Sequence, residues 1–164
     1  MSLNNRWPVR SARTAMLALF LSLAGGCSNS QSPQIQVQSA TIVQTTDDAL
    51  VVAFDVLLSN PNSKPLELIE FNYVLHVDDA AVYSGRRDAQ TTLPARGQWT
   101  LTIPAVVPFS DVPWDIASMP DQARYEMHGT LLYISPGALA EVLMDAGLYR
   151  PTTGFGAAGA LTLR

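Results

Sequence analysis

Leu50-Val51-Val52-Ala53-Phe54-Asp55-Val56-Leu57-Leu58-Ser59, then Asn60-Pro61-Asn62-Ser63-Lys64-Pro65, then Leu66-Glu67-Leu68-Ile69-Glu70-Phe71-Asn72-Tyr73-Val74-Leu75-His76-Val77: an apolar run, a polar turn and a second apolar run. Side chains alternate faces along a strand, so residues two apart share a side. Val52, Phe54, Val56 and Leu58 thus share one face of a first strand. Ile69, Phe71, Tyr73, Leu75 and Val77 share one face of a second, with Leu68, Glu70, Asn72, Val74 and His76 opposite. One strongly apolar face against one mixed face is the mark of half-buried antiparallel sheet. In the linking segment each proline fixes φ and donates no hydrogen bond, and Asn62 tolerates a left-handed backbone, so pairing stops and the chain turns a corner.

The same alternation recurs outward from this pair. Ile35 to Val43 reads as an earlier strand, with Asp47-Asp48 turning into Leu50. Asp78-Asp79-Ala80 is a tight turn from which Ala81 to Gly85 returns as a hairpin partner, Gly85 marking a bulge or a close backbone approach. Thr91 to Gly97 reads as a strand end and loop, and Trp99 to Pro104 as a strand that Pro104 and Pro108 confine to an edge or crossing point. Between Ser110 and Met119 the spacing allows one helical turn with Pro113 at its first position. Arg124 to Ile134 is another strand. Ser135 as cap and Pro136 as first helical residue, with Leu139, Val142, Leu143 and Ala146 at helical spacing and Gly147 as stop, predict a short amphipathic helix over 136–146 whose stripe packs on the core, with a docking face as the alternative. A final strand, Ala160 to Arg164, closes the chain. Seven or eight strands and one short helix before the last predict an all-β, immunoglobulin/fibronectin III-like antiparallel sandwich, with a small barrel as the alternative.

The charge is divided along the chain. Arg6, Arg10 and Arg13 precede an apolar run from Ala15 to Leu23, and all 14 acidic residues lie after position 40. Beyond position 27 the basic residues are Lys64, Arg86, Arg87, Arg96, Arg124, Arg150 and Arg164, so the body is strongly acidic and a poor match for nucleic acid. A basic start, a short apolar stretch and small residues make a secretory signal; the run is too short to span a bilayer, which takes about 20 residues. The sole cysteine, Cys27, falls at the expected cut.

Leu23-Ala24-Gly25-Gly26-Cys27 resembles the lipobox of bacterial lipoprotein precursors, with the leucine displaced by one and Ala24 three before the cysteine. The resemblance implies a diacylglyceryl group on the Cys27 sulfur and an acyl chain on its new amino terminus. Buried acyl chains contribute about 0.8 kcal/mol per CH₂, and two or more anchor stably. Ser28, in place of the aspartate that signals inner-membrane retention in that class, points to the outer membrane, facing the periplasm. The expected organisation is a signal peptide over 1–26, a lipidated cysteine and flexible polar tether over 27–34, and a folded domain over 35–164.

That domain resembles the late embryogenesis abundant type 2 family, the water stress and hypersensitive response domain. The residues that carry the likeness are the strand Val51 to Ser59, its Asn60-Pro61-Asn62 turn with Pro65-Leu66, Tyr73-Val74-Leu75, Gly85, Leu93-Pro94-Ala95, the run Tyr125 to Leu131 with Gly129, and Gly159-Ala160-Leu161-Thr162-Leu163. The helix at 136–146 departs from the simplest pattern of that family. The resemblance implies a fibronectin-like sandwich without catalytic residues or cofactor, in a family linked to desiccation and stress tolerance. The 48% hydrophobic content fits a folded member.

Few residues offer chemistry. His76 and His128 lack metal-ligand spacing, and the Asp47-Asp48 and Asp78-Asp79 pairs lack a calcium-loop pattern and read as solvated turns. Glu67 and Glu70 fall on opposite faces of an ideal strand, which argues against paired carboxylates. No nucleophile elbow surrounds Ser110, and the glycines from Gly154 to Gly159 do not open a helix after a strand. Trp99 belongs to the core. Trp114, with Phe109 nearby between prolines, is either a contact for lipid or a partner, or packing at the end of the sandwich. The expectation is therefore a non-enzymatic, membrane-anchored module that protects or binds, with carriage of a hydrophobic ligand or a place in an envelope complex, through a protein partner, as alternatives.

Overall fold

The computed structural model describes residues 30–164; the expected signal peptide and Cys27 lie outside them. Seven strands form two antiparallel sheets: β1 (Gln34–Thr45), β2 (Ala49–Ser59), β3 (Leu66–Val77), β4 (Ala80–Leu93), β5 (Gln98–Pro108), β6 (Gln122–Ile134) and β7 (Thr152–Thr162), with one α-helix, α1 (Ala138–Asp145), before the last. One sheet has the order β1-β2-β5 and the other β4-β3-β6-β7. The sheets pack face to face, and β4 comes alongside β5 and β1 alongside β7 at their edges. This is the predicted sandwich.

The core is the sum of the inner faces. Val52, Phe54, Val56 and Leu58 of β2, with Leu101, Ile103, Ala105 and Val107 of β5, face Phe71, Tyr73, Leu75 and Val77 of β3 and Ala123, Tyr125, Met127 and Leu131 of β6. Phe54 meets Tyr125 edge to face across the sheets, with ring centroids 5.5 Å apart.

Three strands, β1, β3 and β4, carry bulges and depart from simple alternation, and those in β3 and β1 change the reading most. In β3 the pairing to β6 slips between Leu68 and Glu70, leaving Ile69 as the extra residue. The inner set is therefore Leu66, Leu68, Phe71, Tyr73, Leu75 and Val77, and Ile69 is only half-buried. The same bulge returns Glu67 and Glu70 to one face, the outer one, contrary to the ideal-strand expectation. Glu70 there accepts from Asn72 Nδ2 at 2.9 Å and pairs with Arg86 Nε at 3.3 Å, so the two carboxylates form no shared site. In β1 the register slips at Gln38, and the core-facing set moves from Ile35 and Val37 to Ala40 and Ile42.

Strand extents differ most where polar residues continue a ladder. β4 runs through Arg86-Arg87-Asp88-Ala89-Gln90 to Leu93, well beyond the predicted Gly85, because its backbone pairs with β3 while its outer side chains meet solvent. β7 begins at Thr152, not Ala160, since pairing with β6 tolerates its small residues. β5 is an edge strand of its sheet, which is how Pro104 is accommodated. Asp78 and Asp79 both have positive φ, 48° and 68°, the type I′ geometry that suits a two-residue hairpin. The single turn near position 110 is a 3-10 turn over Phe109–Asp111, with Pro113 outside it.

The helix also starts later than predicted. Gly137, at φ 140° and ψ 138°, precedes Ala138, so neither Ser135 nor Pro136 acts at its start. Gly147 ends it as expected: at φ 70° it donates to Met144 O at 2.9 Å while Leu148 N donates to Leu143 O at 2.8 Å, a Schellman closure. Of the stripe, Val142 is 63% exposed, Ala146 is exposed and Leu143 is half-buried, so these three do not pack as core.

Candidate functional site: a polar hub where the chain enters the sandwich

Four strand ends converge where β2 stops at Ser59, β3 starts at Leu66, β4 stops at Leu93 and β5 starts at Gln98. Proline at 61 and 65 forbids further ladder donors, so the backbone groups here need side-chain partners. Asn60 supplies them. It is the one buried polar side chain among the described residues. Its Nδ2 donates to Lys64 O at 2.9 Å, Pro94 O at 3.0 Å and Leu93 O at 3.2 Å. An amide has two N–H donors, so one is shared among these three carbonyls. Its Oδ1 accepts from Asn62 N at 2.9 Å, an Asx turn, and from Asn62 Nδ2 at 3.0 Å. Its backbone N donates to Gly97 O at 3.0 Å.

Asn62 is the second half of the hub. It is not left-handed; that role falls to Arg96 at φ 56°, whose N donates to Asn62 O at 3.0 Å. The Asn62 side chain reaches instead to the incoming chain: Oδ1 accepts from Gln31 N at 2.8 Å and Nδ2 donates to Gln31 O at 2.8 Å. This is the pairing one residue of a neighbouring strand would offer. Ser32 Oγ and Tyr133 Oη lie 2.9 Å apart, and Pro33 is buried. The segment expected to be a free tether up to residue 34 is thus fastened to the domain from Gln31 onward. Ser30, Gln31, Asn62, Lys64, Arg96 and Pro136 rim a shallow cleft of about 190 Å³ beside it. Sequence reasoning found the Asn60-Pro61-Asn62 turn as a family mark but not its grip on Gln31, because a backbone clamp leaves no pattern in side-chain chemistry.

The three glycines singled out as family marks have one use between them. A Cβ on Gly85 would lie 2.3 Å from Tyr83 Cε1, one on Gly129 2.4 Å from Phe155 Cζ, and one on Gly159 2.9 Å from Tyr125 Cε1. Each glycine therefore sits where an aromatic ring lies over its backbone. Close approach, rather than a bulge, explains Gly85, whose pairing with Tyr73 is regular. Tyr83 stacks on Tyr73 at 5.6 Å, and Phe155 meets Phe71 edge-on at 6.0 Å.

Tyr73 also ties the sheets together, donating from Oη to Pro104 O at 2.7 Å. Burial, with the neighbouring Tyr83 hydroxyl second, pushes its phenol well above the ordinary phenol value. The native state holds this proton where the unfolded chain releases it, so the stability Tyr73 contributes is complete below about pH 10 and declines as pH rises further. Tyr73→Phe is expected to cost about 1 kcal/mol at neutral pH and to flatten the alkaline limb of a urea-midpoint profile between pH 9 and 11. Some slope remains, since burial also raises Tyr125.

At the far end, Trp114 is 8% exposed and its Nε1 donates to Asp78 Oδ2 at 3.0 Å. Phe109 packs against it edge to face at 5.9 Å, half-buried. This is the packing alternative: the pair seals the sandwich end, and the indole is not open to lipid or a partner. Asp78 also accepts from Arg124 N at 3.0 Å, and Arg124 pairs with Asp79, so this turn is bonded rather than merely solvated. His128 lies 2.8 Å from Glu126 on the surface. Among the described residues no three His, Cys, Asp or Glu side chains converge on a metal position, and no helix is long and apolar enough to cross a membrane.

A three-on-four sandwich with glycines under its rings and an asparagine hub at its entry defines a fibronectin-like β-sandwich module. The late embryogenesis abundant protein family model matches residues 55–142, more than half of the chain, and the chain belongs to that family. The family is generally non-enzymatic. Among solved structures, a solution structure of a protein from Arabidopsis thaliana has a TM-score of 0.62 at 18% identity, over 85% of this chain and 87% of that one. A second solution structure, of a chain described as a late embryogenesis abundant protein, gives 0.55 at 18% identity, over 92% and 85%. A crystal structure of a protein from Archaeoglobus fulgidus gives 0.50 at 11% identity, over 83% and 98%. At these identities the likeness is one of fold. No match is found among curated proteins.

Proposed function

We propose that this chain is a non-catalytic, lipid-anchored module of the bacterial envelope, held through Cys27 in the outer membrane and facing the periplasm. Its late-embryogenesis-type sandwich serves there as a binding or stress-protective body, desiccation being the stress its family suggests. The observation that carries the reading is the spacing between the lipobox cysteine and the clamp: Gln31, four residues after Cys27, is already bonded to Asn62 at both its N and its O. Ser28 after the cysteine supports the outer membrane. The acidic body, set against a basic leader, supports export away from nucleic acid.

The test is the mass of the mature protein, expressed with its own leader and extracted in detergent. The expected product begins at Cys27 and carries diacylglyceryl and acyl groups. Cys27→Ser is expected to abolish that mass and the partition into detergent. A soluble, unmodified wild-type product refutes the reading.

A carrier of a hydrophobic ligand would need room between the sheets. Phe54, Phe71, Leu58, Leu68, Met127 and Leu131 fill that space, each essentially fully buried. Dense packing inside, with apolar side chains exposed at 142, 148 and 149, supports engagement at the surface over carriage within.

A further inference from the structure

The end at which the chain enters is also the end that carries α1. β6 closes at Ile134 opposite Glu67, and β7 opens at Thr152 opposite Leu132. The segment between them leaves the sheet and holds three of the large exposed hydrophobic side chains, Val142, Leu148 and Tyr149, at 63%, 78% and 44% exposure. The Schellman closure fixes the last two, since Leu148 N and Tyr149 N both donate to Leu143 O, at 2.8 and 3.2 Å. They are therefore presented by an ordered turn.

The length of chain outside the structure says what they face. Gln31 lies four residues beyond Cys27, and a fully extended chain advances at most about 3.6 Å per residue, so the clamped Gln31 Cα stands within about 14 Å of the Cys27 Cα. One headgroup layer is about 5–8 Å deep, so this end of the sandwich stands no more than about two such layers from the acyl chains. The charges agree. Lys64, Arg96 and Arg150 are exposed on the loops of this end, against Glu67 and the helix acids Glu141 and Asp145. The opposite end gathers Asp47, Asp48, Asp78, Asp79, Asp111, Asp115 and Asp121, against Arg124 and the terminal Arg164. An anionic surface repels the far end, and the near end, its charges balanced three against three, is the one free to approach it.

We propose that the segment 138–150 rests on the bilayer that holds the Cys27 acyl chains, with Val142, Leu148 and Tyr149 entering the headgroup–acyl boundary. Lys64, Arg96 and Arg150 lie beside them at the level of the lipid phosphates. The partner is the lipid surface itself, and the proposal rests on the anchor proposed above. Apolar side chains next to basic ones are what interfacial segments use. A terminal lipid alone leaves a domain free to swivel; a second contact at the same end holds the sandwich upright, its acidic end in the periplasm.

The full-length protein is purified in its lipidated form and reconstituted into phosphatidylethanolamine–phosphatidylglycerol vesicles with and without dibrominated acyl chains. Leu148→Trp places a fluorophore on the segment, and Val43→Trp, at an exposed site near the acidic end, serves as control. Both positions are exposed, so the fold is retained, checked by circular dichroism. The added fluorescence of Leu148→Trp is expected to fall by about half or more in brominated vesicles, and that of Val43→Trp to stay unchanged. Equal, unquenched emission from both, on protein whose mass shows its acyl chains, overturns the inference while leaving the anchor intact. A co-purifying protein that shields Leu148→Trp from the brominated lipid overturns it as well. Absence of acyl mass brings down the anchor reading and this inference with it, and the mass spectrum tells that case from the others.

Discussion

Asn60→Ala is expected to destabilise the sandwich by about 3 kcal/mol, read as a fall in the urea midpoint at unchanged slope. The size follows from what the truncation strands. Lys64 O, Leu93 O and Pro94 O all lose their amide partner at a site that is 1% exposed, where water cannot replace it without opening the loop. The Asn62 backbone N–H loses its acceptor at the same time. Each buried polar group left alone costs about 1–3 kcal/mol, discounted here because the loops can relax together. Asn60→Asp separates this account from one of volume. The carboxylate keeps the acceptor side, but puts an oxygen without a donor in the place of Nδ2, facing three carbonyls, so at neutral pH it is expected to cost at least as much as alanine. Those carbonyls hold the introduced carboxyl's folded-state pKa above its unfolded value, because only the protonated acid donates. Its deficit is therefore greatest at neutral pH and shrinks as pH falls toward 4. A pH-independent deficit, or an alanine variant within 0.5 kcal/mol of the parent, would rule out the hub as the fastening of this end.

The sandwich was legible from one pair of strands because both bury one face, and burial of alternate residues writes a period of two into the sequence. Val52, Phe54, Val56 and Leu58 follow it without exception. The period fails where one extra residue enters a ladder. Ile69 and Gln38 look like any other strand residue, and their bulges are set by what the neighbouring strand requires, so the swap from Ile69 to Leu68 in the core was not readable locally. The helix shows the opposite failure. Leu139, Val142, Leu143 and Ala146 have the spacing of a core-facing stripe, but spacing says only that a face is apolar, not what covers it. With the sandwich already closed by β6 and β7, Val142 remains outside. The hub was half legible. Two asparagines among prolines announce a turn, while the clamp on Gln31 depends on a segment 31 residues earlier arriving beside it.

Gly129→Ala is expected to cost about 2–3 kcal/mol, more than the same change at Gly159. The added methyl would lie 2.4 and 2.6 Å from Phe155 Cζ and Cε1 and 2.7 Å from Asn72 O. A ring can swing away, but Phe155 is held edge-on to Phe71, and moving it opens the inner face of the sheet. The third contact is backbone of β3, whose pairing with β6 runs through this position, so that atom cannot yield without breaking the ladder. At Gly159 the nearest atoms all belong to the side chain of Tyr125, the closest at 2.9 Å, and a small ring rotation relieves the strain. The order of the two variants is the informative result. Phe155→Leu combined with Gly129→Ala should recover part of the loss by removing the ring while leaving the backbone contact. The coupling in a double-mutant cycle then measures how much of the cost was ring and how much was strand. Equal destabilisation at positions 129 and 159, with no coupling to Phe155, would mean that the glycines serve strand conformation alone and that the rings over them are incidental.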